Sequence, residues 1–77
     1  MPEAFVLFKT QPAHEREVYL SLMEHSAVAE VHALYGEFDL VVRLSVDNSQ
    51  NLTKMLMTDF RQIKGVKDTQ TLIAVEY

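Results

Sequence analysis

No cysteine occurs among the 77 residues, so the chain can form no disulfide, no thiolate metal site and no cysteine nucleophile. That absence fits a reducing compartment. Two glycines, far apart, cannot supply a glycine-rich phosphate cradle. With only two prolines, the chain also has no linker or low-complexity tract that would divide it. Basic residues are few, 7 Lys plus Arg against 11 Asp plus Glu, for a net charge of −4. This balance argues against general binding to nucleic acid or to an anionic membrane, both of which need basic patches. The longest strongly apolar run near the start, Ala4-Phe5-Val6-Leu7-Phe8, is too short to span a membrane. It also lacks the basic lead-in and small-residue cleavage site of a signal peptide.

What is present is an ordinary globular composition, 48% hydrophobic and 23% charged. The length allows a single domain over residues 1–77. A domain this small buries only about 60% of the surface that its unfolded chain exposes. Without disulfides or a metal, self-association is the remaining remedy, and the expectation is a self-associating cytoplasmic domain.

The pattern along the chain predicts six elements. Ala4 to Thr10 is strand-forming and apolar on both alternating sets, as in a strand covered on both faces. Gln11-Pro12 ends it. His14 to about Glu24 reads as a helix, with Glu15 and Glu17 at its positive end and Val18 and Leu22 at helical spacing. Val28 to Tyr35 alternates as a second strand, and Phe38 to Val46 as a third, with Leu40, Val42, Leu44 and Val46 at period two. Gly36-Glu37 between them is a Gly-X signal for a tight hairpin turn. Asp47 and Gln50 stand at capping-box spacing before Leu52, Leu56, Phe60 and Ile63, which recur every three or four residues. Lys64-Gly65 is expected to stop that helix through a left-handed glycine. Val66 to Glu76 is the last strand.

Strand, helix, strand, strand, helix, strand is the split βαβ order of the α+β, ferredoxin-like βαββαβ fold. Right-handed crossovers place both helices on one face of a four-stranded antiparallel sheet. The other face would then carry Phe5 or its alternates, Leu34, Val41 and one set from the last strand. Such a patch is larger than a monomer comfortably exposes. A sheet-to-sheet dimer about a two-fold axis, an α/β sandwich, is the expected outcome.

Candidate chemistry is sparse. His14, His25 and His32 show no His-x-x-x-His or Glu-x-x-His spacing, so no metal site and no metal cofactor are expected. A general-base role for His32 stands beside the commoner case of an exposed or interface histidine. No Gly-x-Ser-x-Gly elbow surrounds Ser21, Ser26, Ser45 or Ser49, so no catalytic residue is assigned. RNA-recognition domains share this element order, but Leu40-Val41-Val42-Arg43-Leu44 offers no aromatic platform. One constellation remains: the turn Gly36, Glu37, Phe38 and Asp39, with Thr69, Gln70 and Thr71 on the last strand. Turn chemistry and strand propensity account for these residues on spacing alone.

Two segments carry more information. Tyr35-Gly36-Glu37-Phe38-Asp39-Leu40 resembles the Gly-x-aromatic-Asp turn of the RAM domain, the C-terminal effector-binding module of the Lrp/AsnC transcriptional regulators. Ile63-Lys64-Gly65-Val66-Lys67-Asp68-Thr69-Gln70-Thr71-Leu72 is similar to that family's Lys-Gly-Val…Thr-x-Thr ending. The resemblance covers essentially the whole chain. It implies a homodimer built by facing sheets, assembled further into rings of dimers, with an amino acid or related metabolite bound between dimers. Carried over by position, effector contacts fall on Tyr35, Gly36, Glu37, Phe38 and Asp39, and on Thr69, Gln70 and Thr71. A zwitterion needs acceptors for its ammonium and donors for its carboxylate, and these residues offer both.

Family regulators carry an N-terminal helix-turn-helix domain. This sequence opens directly on the first strand, so the resemblance implies a stand-alone RAM module without direct DNA binding. Any effect on transcription would pass through a partner such as a full-length Lrp/AsnC regulator. Two other readings share the element order. One is a small dimeric α+β-barrel enzyme similar to the cofactor-independent monooxygenases, with His32 as acid or base. The other is an ACT-like regulatory domain, which differs in how its subunits pair.

Overall fold

The structure is a computed structural model that describes residues 3–45 and 49–75. The elements are β1 (Glu3–Thr10), α1 (Glu15–Met23), β2 (Val28–Ala33), β3 (Leu40–Ser45), α2 (Ser49–Met55) and β4 (Val66–Ile73), with a π-helical segment, Leu56–Phe60, continuing α2. The expected capping box at Asp47 and the strand ends at Val46 and Glu76 lie outside the described residues.

The four strands form one antiparallel sheet in the order β2-β3-β1-β4. This is the ferredoxin-like arrangement, with β1 central because it opens the first crossover and β4 beside it because it closes the second. Register and burial alternate together. Ala4, Val6 and Phe8 pair with Leu44, Val42 and Leu40, and all six side chains are buried. Val18 and Leu22 of α1, with Leu52 and Phe60 from the second helical unit, complete that core. Phe8 and Phe60 meet edge to face at 5.8 Å and 90°, a geometry favoured by the aromatic quadrupole. Among the described residues no helix is long and apolar enough to cross a membrane.

Three local features differ from the pattern reading. The Leu52, Leu56, Phe60 periodicity does bury Leu52 and Phe60, but the last turn widens to π geometry, closed by Arg61 N–H donating to the Leu56 carbonyl at 3.1 Å. The hydroxyl of Thr58 donates to the Lys54 carbonyl at 2.6 Å. A side chain there competes for the acceptor that regular α geometry would give to the backbone. Secondly, β2 stops at Ala33, so a six-residue connection, residues 34–39, replaces the two-residue turn. Leu34 N–H donates to the Asp39 carbonyl at 2.8 Å and closes it. Leu34 therefore belongs to this connection rather than to the open sheet face. Thirdly, the second helical unit ends at Phe60, and Gly65 lies beyond it at the entry to β4.

Gly65 is left-handed, with φ +99°, and a Cβ there would lie 2.8 Å from the Cβ of His14. Its carbonyl accepts from Gln11 N–H at 2.7 Å, which joins the start of β4 to the entry of α1. Gly65→Ala is expected to lower stability by about 2 kcal/mol, from left-handed strain and the clash together. For a domain of this size that is a fall of about 10 °C in Tm by thermal denaturation. Gly36→Ala should cost less: its φ is +126°, but a Cβ would find nothing within 4 Å.

The sheet face away from the helices is organised in two rows. Leu72, Phe5, Arg43 and Glu30 align across all four strands, and Gln70, Leu7, Val41 and His32 form the next row. Phe5, Leu7 and Val41 are half-buried and Leu72 is 47% exposed, leaving an apolar centre. Arg43 caps it on one side, paired with Glu3 at 3.0 Å and Glu30 at 2.7 Å.

Candidate functional site

The 34–39 connection is held firmly at its base and open at its tip. Asp39 N–H donates to the Phe8 carbonyl at 2.9 Å, which extends the β1–β3 ladder by one residue. The Oδ2 of Asp39 accepts from both Thr10 N–H, at 2.8 Å, and the Thr10 hydroxyl, at 3.1 Å. Thr10 is the buried polar residue at the end of β1, so this carboxylate satisfies donors that would otherwise be costly. Its Oδ1 is left over. Phe38 lies beneath the ammonium of Lys9, 5.5 Å from the ring centroid. Tyr35, at the tip, is fully exposed.

Beside this turn a cleft of about 650 Å³ runs between α1 and edge strand β2. Tyr35 and Asp39 line it, together with Glu15, Arg16 and Tyr19 of α1 and residues 31–33 of β2. Its volume lies within the range of small-molecule sites. No spacing in the sequence points to it, because Arg16 and Tyr19 stand in no motif and meet β2 only in the folded chain.

The last-strand residues stand apart from the turn. Thr69 pairs with Phe8 and Thr71 with Val6, which places both threonines on the helix-covered side. Gln70 pairs with Leu7 and is exposed on the open face. Leu40, Phe8 and Thr69 share one row, so β1 separates β4 from the strand that follows the turn. That is two strand spacings, about 10 Å. Thr69 lines a smaller hollow of about 290 Å³ with Arg61, Lys67 and Asp68. Within one chain the turn and the threonines thus share an end of the sheet but not a cavity.

The histidines are each tied to a carboxylate. His32 Nε2 is 3.0 Å from Glu30 and solvent-exposed. His25 Nε2 is 2.7 Å from Asp59, while its Nδ1 accepts from Ala27 N–H at 3.1 Å and its ring lies 5.0 Å from Phe60. With Nδ1 accepting, the proton sits on Nε2, which donates to Asp59. No group of three or more metal-ligating side chains occurs among the described residues.

The His25 hydrogen bond holds the Asp59 carboxyl below the usual carboxylate range, with Thr58 lowering it further. Asp59 is thus ionised more readily in the folded chain. Its contribution to stability is present above the unfolded carboxylate pKa, about 4, and is lost as pH falls through the lower folded value. Between pH 7 and pH 3, urea unfolding should show a smaller loss of stability for Asp59→Asn than for the wild type.

Comparison with known proteins fits this geometry. Residues 3–77 match the model of the Lrp/AsnC ligand binding domain, and the chain belongs to that family. The HTH-type transcriptional regulator FL11 of Pyrococcus abyssi is 32% identical over 73 residues, which cover 95% of this chain and 48% of that protein. The chain therefore spans about half the length of the curated relatives it matches. The crystal structure of hypothetical protein PHS023 from Pyrococcus horikoshii superposes with a TM-score of 0.90 at 32% identity, covering all of this chain and 93% of that one. A Neisseria meningitidis transcriptional regulator, NMB0573, solved as a complex with L-Met, shares the fold at a TM-score of 0.89 and 21% identity. The match covers 97% of this chain and 50% of the regulator.

Proposed function

We propose that this domain is a non-enzymatic effector module that binds an amino acid or a related small metabolite at the Tyr35–Asp39 turn and couples that binding to self-assembly. The observation that carries the reading is the construction of the turn within a family of ligand-binding domains. Its base is fixed by Asp39 Oδ2 on Thr10, and Asp39 Oδ1 stays free to accept from an ammonium. Gly36 exposes its backbone with nothing within 4 Å of a notional Cβ, so a ligand can approach closely. The L-Met complex of the Neisseria regulator supports an amino acid as the ligand class.

Copies pair through the rows around Phe5, Leu7 and Val41, and dimers assemble further so that the turn of one copy meets Thr69, Gln70 and Thr71 of another. This division suits their separation within one chain. A ligand held between copies binds only the assembled form and stabilises it. The domain then acts on transcription through a partner such as a full-length Lrp/AsnC regulator, in the cytoplasm.

A thermal-shift screen against the twenty amino acids tests the reading. An amino acid at a hundred times its Kd should add about 2.7 kcal/mol. Asp39→Ala lowers the starting stability by about 1–3 kcal/mol, because the Thr10 donors lose their acceptor. The ligand-induced rise in Tm is therefore the quantity to compare, and it should shrink or vanish in Asp39→Ala. An equal rise in the variant would remove Asp39 from the site.

A further inference from the structure

The open sheet face carries a line of charge beside its apolar centre. Arg43 Nη1 donates to Glu3 at 3.0 Å, and its Nη2 donates to Glu30 Oε1 at 2.7 Å. One guanidinium therefore serves two carboxylates. The other oxygen of Glu30 stands 3.0 Å from His32 Nε2. The line crosses the face from Glu3 on β1, over Arg43 on β3, to Glu30 and His32 on β2. Lys9 and Asp68 stand opposite each other towards the other end of β1, and their charges offset. Among the described residues, the strands thus place three carboxylates and two permanent cations on this face, with His32 as the group that titrates near neutral pH.

Hydrogen bonding to His32, and then to Arg43, holds the Glu30 carboxyl below the usual carboxylate range, so it stays ionised across the histidine range. An ionised carboxylate only accepts, so His32 Nε2–H donates to Glu30 and a further proton enters at Nδ1. That proton leaves the Glu30 contact in place and turns it into an ion pair. The face then passes from one surplus negative charge to none. A two-fold pairing sets two such faces against each other, where an unbalanced charge in a partly dehydrated interface is costly.

We propose that pairing of the open faces is proton-linked: His32, once protonated, balances the Glu3–Arg43–Glu30 line, and copies then associate more tightly. The inference rests on the open-face pairing proposed above and adds its regulation. Pairing takes up protons, so association strengthens as pH falls through the histidine range, about pH 6.5, and weakens above it. On its cleft side β2 is faced by Glu15, Arg16 and Tyr19 of α1 and by Tyr35 and Asp39 of the connection. These groups lie off the open face and keep their surroundings in the pair. His14 and His25 stand at the two ends of α1, on the covered side.

Sedimentation of the full chain at pH 8, 7 and 6 and constant ionic strength, with fluorescence detection down to nanomolar chain, tests it. The dissociation constant of the pair should fall by about threefold to tenfold from pH 8 to pH 6. The His32 side chain is 63% exposed, so His32→Gln should fold normally, which circular dichroism verifies. Its amide keeps a donor for Glu30 but takes up no proton, and its dissociation constant should be the same at all three pH values. Glu30→Gln removes the surplus charge, so its trend should reverse, with tighter pairing at pH 8 than at pH 6. A wild-type constant that does not fall with pH overturns the inference and leaves the pairing intact. So does an equal fall in His32→Gln, or a wild-type trend in Glu30→Gln. A chain that stays monomeric at every pH overturns the open-face pairing itself.

Discussion

Phe60→Ala is expected to remove most of the stability of this domain. The ring is fully buried, edge-on to Phe8 at 5.8 Å and 5.0 Å from the ring of His25. Truncation of a buried phenylalanine costs about 3–5 kcal/mol, because the lost transfer energy is joined by a cavity. A chain of this length has roughly 4–12 kcal/mol in all. The fall in Tm should be about 20 °C, and at the lower end of that range the chain is unfolded at 37 °C. Phe5→Ala, on the open face of β1, should cost the isolated subunit far less, since Phe5 is only half-buried there. Thermal denaturation of the two variants side by side checks both. Equal losses would mean that the core is not one-sided.

Leu7→Glu should abolish self-association. Leu7 sits between Gln70 and Val41 in the middle of the open face, next to the row of Phe5 and Leu72. A two-fold pairing of such faces brings like residues near each other, so the substitution would bury carboxylates in an apolar interface without partners. The wild type should sediment as a dimer or a larger species at micromolar concentration, and Leu7→Glu as a monomer with an unchanged circular dichroism spectrum. The ligand-induced rise in Tm should disappear with the dimer if, as proposed, the site draws on more than one copy. A monomeric wild type, or an associated variant, would contradict pairing through this face.

The contrast between the fold and the site shows what a pattern of residues can express. Period two is legible in Leu40–Leu44, whereas Ala4–Phe8 is apolar on both sets and reads as covered on both faces; only the folded register shows that Ala4, Val6 and Phe8 face the helices. The stripe Leu52, Leu56, Phe60 and Ile63 is legible because burial imposes its period, and Leu52 and Phe60 are buried; its extension through Ile63 to Gly65 does not hold, since the helical unit stops at Phe60. The π turn was not legible, since it depends on the Thr58 hydroxyl reaching one particular carbonyl. Gly36 and Asp39 stood out through their resemblance to the family turn. The role of Asp39 as the acceptor for Thr10, 29 residues away, came only from the folded chain. The α1–β2 cleft was hidden for the same reason: no spacing in the sequence records which helix face meets an edge strand. Thr69 and Thr71 were legible as a pair, whereas their separation from the turn by β1 is a property of strand order.

The most direct measurement is a titration of uniformly labelled protein with the twenty amino acids, followed by the backbone amide resonances. At least one of them should move the signals of Gly36 to Asp39 saturably, with the sedimentation of the complex at or above that of the free protein. Saturable binding that leaves those resonances in place, or twenty titrations with no response, would contradict binding at the turn.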